Sequence, residues 1–84
     1  MKAIWKFPLK VEDVQAFEVP ESAEILSIQN QGGQICLWAA VDTNAPKKFR
    51  TFRMYGTGHE HTSFVGIYIG TVQKDGFVWH IFVD

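Results

Sequence analysis

Turn-forming residues punctuate this chain at roughly 8 to 12 residue intervals, and no segment between them has the length and spacing of a convincing helix. That confines the fold to short strands. The clearest mark is Gln31-Gly32-Gly33-Gln34 between two apolar runs. A tight hairpin needs positive φ in its turn, which glycine adopts without steric cost. Asp75-Gly76 is a second signal of the same kind.

Period-two alternation predicts the strands around these turns. Lys2 to Leu9 sets Ala3, Trp5, Phe7 and Leu9 on one face, and Pro8, which has no N–H for a ladder, predicts a sheet edge or strand boundary. Val11, Val14 and Phe17 have the spacing of a short helix, but Gln15, Phe17 and Val19 also alternate as a strand ending at Pro20, which is the preferred reading. After the Pro20-Glu21-Ser22 turn comes Glu24 to Asn30, then Ile35 to Val41, apolar at every position and so expected to be central and covered on both faces. The cluster Asp42 to Pro46 is short enough to return the next strand, Lys47 to Tyr55, antiparallel beside the one it leaves. Phe64 to Gln73 and Phe77 to Val83 complete the set, with Gly66 and Gly70 as points of close approach or bending. The expected fold is all-β, a small antiparallel sandwich or barrel of about seven short strands.

A single domain of 84 residues buries only about 60 to 65% of its unfolded surface, which leaves a solitary core marginal. Ile35 to Val41 and Phe77 to Val83 are apolar on both faces, so a homo-oligomer is the expected supplement. Cys36 has no second cysteine to pair with and reads as a core hydrophobe. With no secretory leader, it points to a reducing, cytoplasmic setting. No apolar stretch approaches the roughly 20 residues of a membrane-spanning helix, so no membrane partner is expected. A net charge of −1 argues against a long nucleic acid, while leaving room for a small anion at a local patch.

That patch lies in Lys47 to His61, KKFRTFRMYGTGHEH, which holds four of the eight Lys and Arg residues. Arg50 and Arg53 would bring guanidinium donors toward Gly56-Thr57-Gly58, a turn whose successive N–H groups could form an anion nest, with the Thr57 hydroxyl adding a donor. Glycine at 56 and 58 would let the backbone approach a ligand and take positive φ; the competing reading is an ordinary turn beside solvated strand residues. Tyr55 abuts Gly56 on the Arg53 face, His59 follows the turn, and Trp5, the Phe64 to Tyr68 strand or a neighbouring subunit is expected to supply the aromatic walls, so arginines and flat rings together suit a nucleotide. His59 and His61 with Glu60 or His80 are too sparse a pattern for a metal site. His59 beside Glu60 is the sole acid–base cluster, with no paired carboxylates or activated nucleophile, and the chain is expected to be no enzyme and to need no cofactor.

IWKFPL at the start, then ILSIQ, LWAAVD after the glycine hairpin and the FR..GTGH block together resemble a family of small phage-encoded proteins without a settled function. The resemblance spans almost the whole chain. It implies viral counter-defence, and similarity to the sponge class, small oligomeric β proteins that sequester cyclic nucleotide signals of bacterial immunity, such as cyclic GMP-AMP, in the host cytoplasm. The expectation is therefore a non-catalytic sponge for a cyclic nucleotide, binding through Arg50, Arg53, Tyr55, Gly56, Thr57, Gly58, His59 and Trp5. The alternative is a homo-oligomeric protein-interaction or virion-associated structural module.

Overall fold

The computed structural model describes residues 1–84 and contains seven strands and no helix. In chain order they are β1 (Lys2–Leu9), β2 (Val14–Pro20), β3 (Glu24–Gln31), β4 (Gln34–Asp42), β5 (Lys47–Gly56), β6 (Ile67–Lys74) and β7 (Phe77–Val83). One sheet has the order β1-β4-β3 and the other β2-β5-β7-β6, with every pair antiparallel. β4 is central, as its unbroken apolar run predicts, and β1 is an edge, as the missing N–H of Pro8 predicts.

The two short hairpins form where turn chemistry requires them. Gly32 and Gly33 have φ of 59° and 90°, and Asp75 and Gly76 have 53° and 81°, the doubly positive geometry that matches the twist of the flanking strands. The Gly33 amide donates to Asn30 Oδ1 at 2.9 Å. Asn30 Nδ2 in turn donates to Gln73 O at 2.8 Å, and Lys74 Nζ to Gly33 O at 2.6 Å, so the two hairpins are tied across the sheets.

Apolar faces of the two sheets meet in one core. Leu9, Ile28, Ile35 and Leu37 come from one sheet and Phe52, Met54, Val72, Ile81 and Val83 from the other. Burial of each such side chain stabilises the fold by about 1.5 to 3 kcal/mol. A ring stack crosses the open β1–β2 side, with centroids 5.8 Å apart for Phe7 and Phe17 and 4.6 Å for Phe17 and Phe52. On the opposite side Gly70 permits the closest approach, since a Cβ there would stand 3.4 Å from Ile28 Cβ.

Two sequence expectations are corrected here. The Asp42–Pro46 segment does not return β5 beside β4. Both edges of β4 are taken by β1 and β3, so the chain crosses to the other sheet, and β5 lies between β2 and β7. Backbone groups of this crossing are satisfied by neighbours: Thr43 N–H donates to Met1 O at 2.9 Å and Glu21 N–H to Pro46 O at 2.8 Å. The sixth strand starts at Ile67, not Phe64. Gly66, at φ 96°, breaks the extended run, and the Val65 amide bonds to the Tyr55 hydroxyl and not to a ladder. A bulge between Tyr68 and Gly70 then shifts the alternation, so that Ile69 packs on the core that also holds Val72, while Ile67 stays exposed.

Candidate functional site

The segment from Thr57 to Gly66 leaves β5, passes over β7 and folds back onto the outer face of the four-stranded sheet. Tyr55 is its anchor, only 8% exposed although it points away from the core. The Val65 amide donates to its hydroxyl at 3.1 Å, and the rings of His61, Phe64 and Phe82 meet its ring edge-to-face at 4.7, 4.9 and 5.2 Å. Phe64 also stacks on Phe82 at 5.9 Å, so the segment covers the outer face of β7.

Between this segment and the sheet lies a cavity of about 300 Å³ lined by Tyr55, the Gly56-Thr57-Gly58 turn, His59, Phe64, Tyr68, His80 and Phe82. Phe64, Tyr68 and Phe82 supply flat apolar walls. Polar groups are organised by a chain of hydrogen bonds. Thr57 Oγ1 lies 2.6 Å from His80 Nε2, His80 Nδ1 lies 3.0 Å from Thr71 Oγ1, and Thr71 Oγ1 lies 2.6 Å from the Tyr68 hydroxyl. Both nitrogens of His80 are thus held by threonine hydroxyls, which fixes the ring at the cavity wall.

The two glycines of the turn act differently. Gly58 has φ 85°, as the sequence suggests, and a Cβ there would meet nothing within 4 Å. Gly56 does not take positive φ; it is required by crowding, because a Cβ would stand 2.5 Å from His59 Nδ1 and 3.2 Å from the Trp79 ring. Two N–H groups of the turn are spent within the chain, Thr57 on Val78 O at 3.1 Å and His59 on Gly56 O at 3.2 Å.

Five of the eight residues singled out in the sequence, Tyr55, Gly56, Thr57, Gly58 and His59, come together at this cavity. The other three are placed elsewhere. Arg53 Nη1 bonds to Asp84 Oδ1 at 2.5 Å, and Arg50 Nη2 donates to Asp84 O at 3.1 Å. Arg53 nonetheless stays near, directly opposite Phe82 in the β5–β7 register. Trp5 is on the other sheet with Lys47 Nζ 5.8 Å from its ring centroid, and Lys48 pairs with Glu21 at 2.9 Å. No group of three or more His, Cys, Asp or Glu side chains is arranged to hold a metal.

His80 and Thr71 are site residues that the sequence reading did not select. A local signal for them exists: a two-residue turn at Asp75-Gly76 pairs Lys74 with Phe77 and, counting outward, Thr71 with His80. The bulge then determines that Tyr68 pairs with Phe82.

Two other surface grooves are larger. One, of about 470 Å³, runs along Val19 to Ala23 and Lys48 to Arg50, and one of about 530 Å³ lies between β1 and β2. Neither gathers aromatic rings around convergent donors as the smaller cavity does. A family model, Domain of unknown function (DUF7352), matches residues 1–84. The chain belongs to the DUF7352 family. No curated protein and no solved structure matches it. The cavity of this DUF7352 domain therefore has to be interpreted from its own chemistry.

Proposed function

We propose that this domain is a non-catalytic binding module for a nucleotide, and that a cyclic nucleotide immune signal is the ligand it sequesters. The observation that carries the reading is the joining, in one cavity, of the Phe64, Tyr68 and Phe82 rings with the Thr57 hydroxyl, His59 and His80. Rings of this kind hold a heterocyclic base by stacking, and hydroxyl and imidazole groups read its polar edge. At about 300 Å³ the cavity suits one base with part of its sugar. A cyclic dinucleotide would seat one half here and extend its phosphates along the rim toward Arg53. Engagement of both His80 nitrogens supports a holding role over proton transfer. Likeness to small phage-encoded proteins supports sequestration as the purpose of binding.

Mass spectrometry of small molecules released by heating the purified protein identifies a carried ligand without a prior choice. Isothermal titration against cyclic mono-, di- and trinucleotides then measures affinity. Binding that is lost in Tyr68→Ala and Thr57→Val supports the proposal, and the absence of heat with every nucleotide at micromolar protein overturns it. A second reading, an interaction module acting through its surface, is favoured by the exposed Ile4, Leu26 and Phe49 side chains.

A further inference from the structure

Two strands are apolar on both faces, and the fold treats them differently. The outer face of β7 is covered within the chain, where Phe64 packs on Phe82. The outer face of β4 is only partly covered. Ile35, Leu37, Ala39 and Val41 point into the sandwich and are buried; on the opposite side of the sheet Cys36 is buried as well, while Trp38 and Ala40 are half-buried. Beside them are Ile4 of β1, paired with Ala40 and 65% exposed, and Leu26 of β3, 48% exposed and unpaired at the bulge between the Ile25–Ala39 and Ser27–Trp38 pairs. An apolar band thus runs diagonally across the three strands, from Ile4 beside Ala40 to Leu26 near Trp38.

Charge on the flanks of this band states what fits it. Lys2 and Lys6 lie on the β1 flank, two positions either side of Ile4, and Glu24 lies on the β3 flank, in register with Ala40 and therefore with Ile4. None of the three forms an ion pair within the chain, although Lys6 Nζ donates to Gln31 Oε1 at 3.1 Å. We infer that this face binds a second copy of the chain, around a two-fold axis parallel to the strands. Such an axis sets β1 of one copy over β3 of the other and preserves height along the strand. Glu24 of each copy then arrives level with Ile4 of the other, between two ammonium groups each about 6.8 Å away along β1. Trp38 and Ala40 meet their own equivalents at the centre, within the ordinary geometry of aligned sheet packing. A two-fold axis perpendicular to the strands would instead lay β1 over β1 and bring Lys2 against Lys6, a like-charge contact. With only 15 of 84 residues buried in one copy, the added apolar burial supplements a small core.

Sedimentation velocity on the full chain over the micromolar range tests this, using wild type, Ile4→Arg, Glu24→Lys, and Glu24→Lys combined with Lys2→Glu and Lys6→Glu. Circular dichroism confirms folding of each; the charge reversals alter exposed side chains that take no part in an internal ion pair. The wild type is expected to sediment as a dimer. Ile4→Arg and Glu24→Lys should each weaken it roughly tenfold or more, and the triple reversal should restore it. A wild type that stays monomeric overturns the inference, as does a dimer indifferent to Ile4→Arg and Glu24→Lys. Failure of the triple reversal to restore association overturns the proposed axis.

Discussion

The backbone amide of Val65 donates to the side-chain hydroxyl of Tyr55 at 3.1 Å, ten residues back along the chain. This bond closes the Thr57–Gly66 segment over the sheet and makes one wall of the cavity. Without it, the far end of the segment would rest on the ring contacts of His61 and Phe64, while Thr57 at the near end stays bonded to Val78 O and His80.

Tyr55→Phe keeps those ring contacts and removes the acceptor. The expected loss is about 1 kcal/mol, the usual net value of such a bond. Amide hydrogen exchange should rise at Val65 and its neighbours while the β4 amides remain protected; unchanged exchange at Val65 would show that the bond does not hold the segment.

Gly66→Ala and Gly58→Ala separate two roles of glycine. Both positions have positive φ, but at Gly66 a Cβ would also stand 2.7 Å from Val83 O, whereas at Gly58 it meets nothing within 4 Å. Urea unfolding should show about 1 kcal/mol lost at Gly58 from backbone strain, and about 1 to 3 kcal/mol or more at Gly66. Equal losses would mean that the Val83 carbonyl yields freely.

Asp84→Ala releases Arg53 from its carboxylate partner. The pair is partly exposed, with side chains 24% and 44% accessible, so the cost to stability is about 0 to 1 kcal/mol. If phosphate reaches the rim, Asp84→Ala should bind nucleotides more tightly while its affinity for the uncharged nucleoside stays the same, as compared by titration calorimetry.

Two surface groups contribute to the pH response with opposite signs. The Asn44 N–H, donating to Asp42 at 3.0 Å, holds the Asp42 carboxyl below the usual aspartate value, with a smaller contribution from the chain's amino terminus. Its stabilising effect is present above about pH 4 and fades as pH falls through the lowered folded value. Lys48 is raised by its hydrogen bond to Glu21, then by the charge of that carboxylate. Its effect is full below about pH 10.4 and is lost as pH rises through the folded value. Thermal melts of Asp42→Asn should therefore differ from wild type less at pH 2 than at pH 6, and those of Lys48→Met less at pH 12 than at pH 9.

Local chemistry made most of the strands legible. Alternation located β1 and β7, an unbroken apolar run located β4, and the Gly32-Gly33 and Asp75-Gly76 turns gave two hairpins, because side-chain direction and positive φ are properties of a few adjacent residues. The gathering of Tyr55 with Gly56 to His59 followed from adjacency as well. What escaped depended on residues far away in sequence. Asp84 captures Arg50 and Arg53, which lie 34 and 31 positions earlier, so the two guanidinium groups face a carboxylate and a carbonyl before any ligand. β5 changes sheets because β1 and β3 already occupy β4.

The sequence by itself determined an all-β chain with its turns and nearly all its strand positions, since these rest on local backbone preference and period-two burial. Only the tertiary structure decided which strands are neighbours and which apolar faces stay open. Pairing and coverage are settled by competition for hydrogen-bonding edges and surface among distant segments. Thus β7 is covered by Phe64 of its own chain, and β4 is left with Trp38 and Ala40 beside an exposed Ile4.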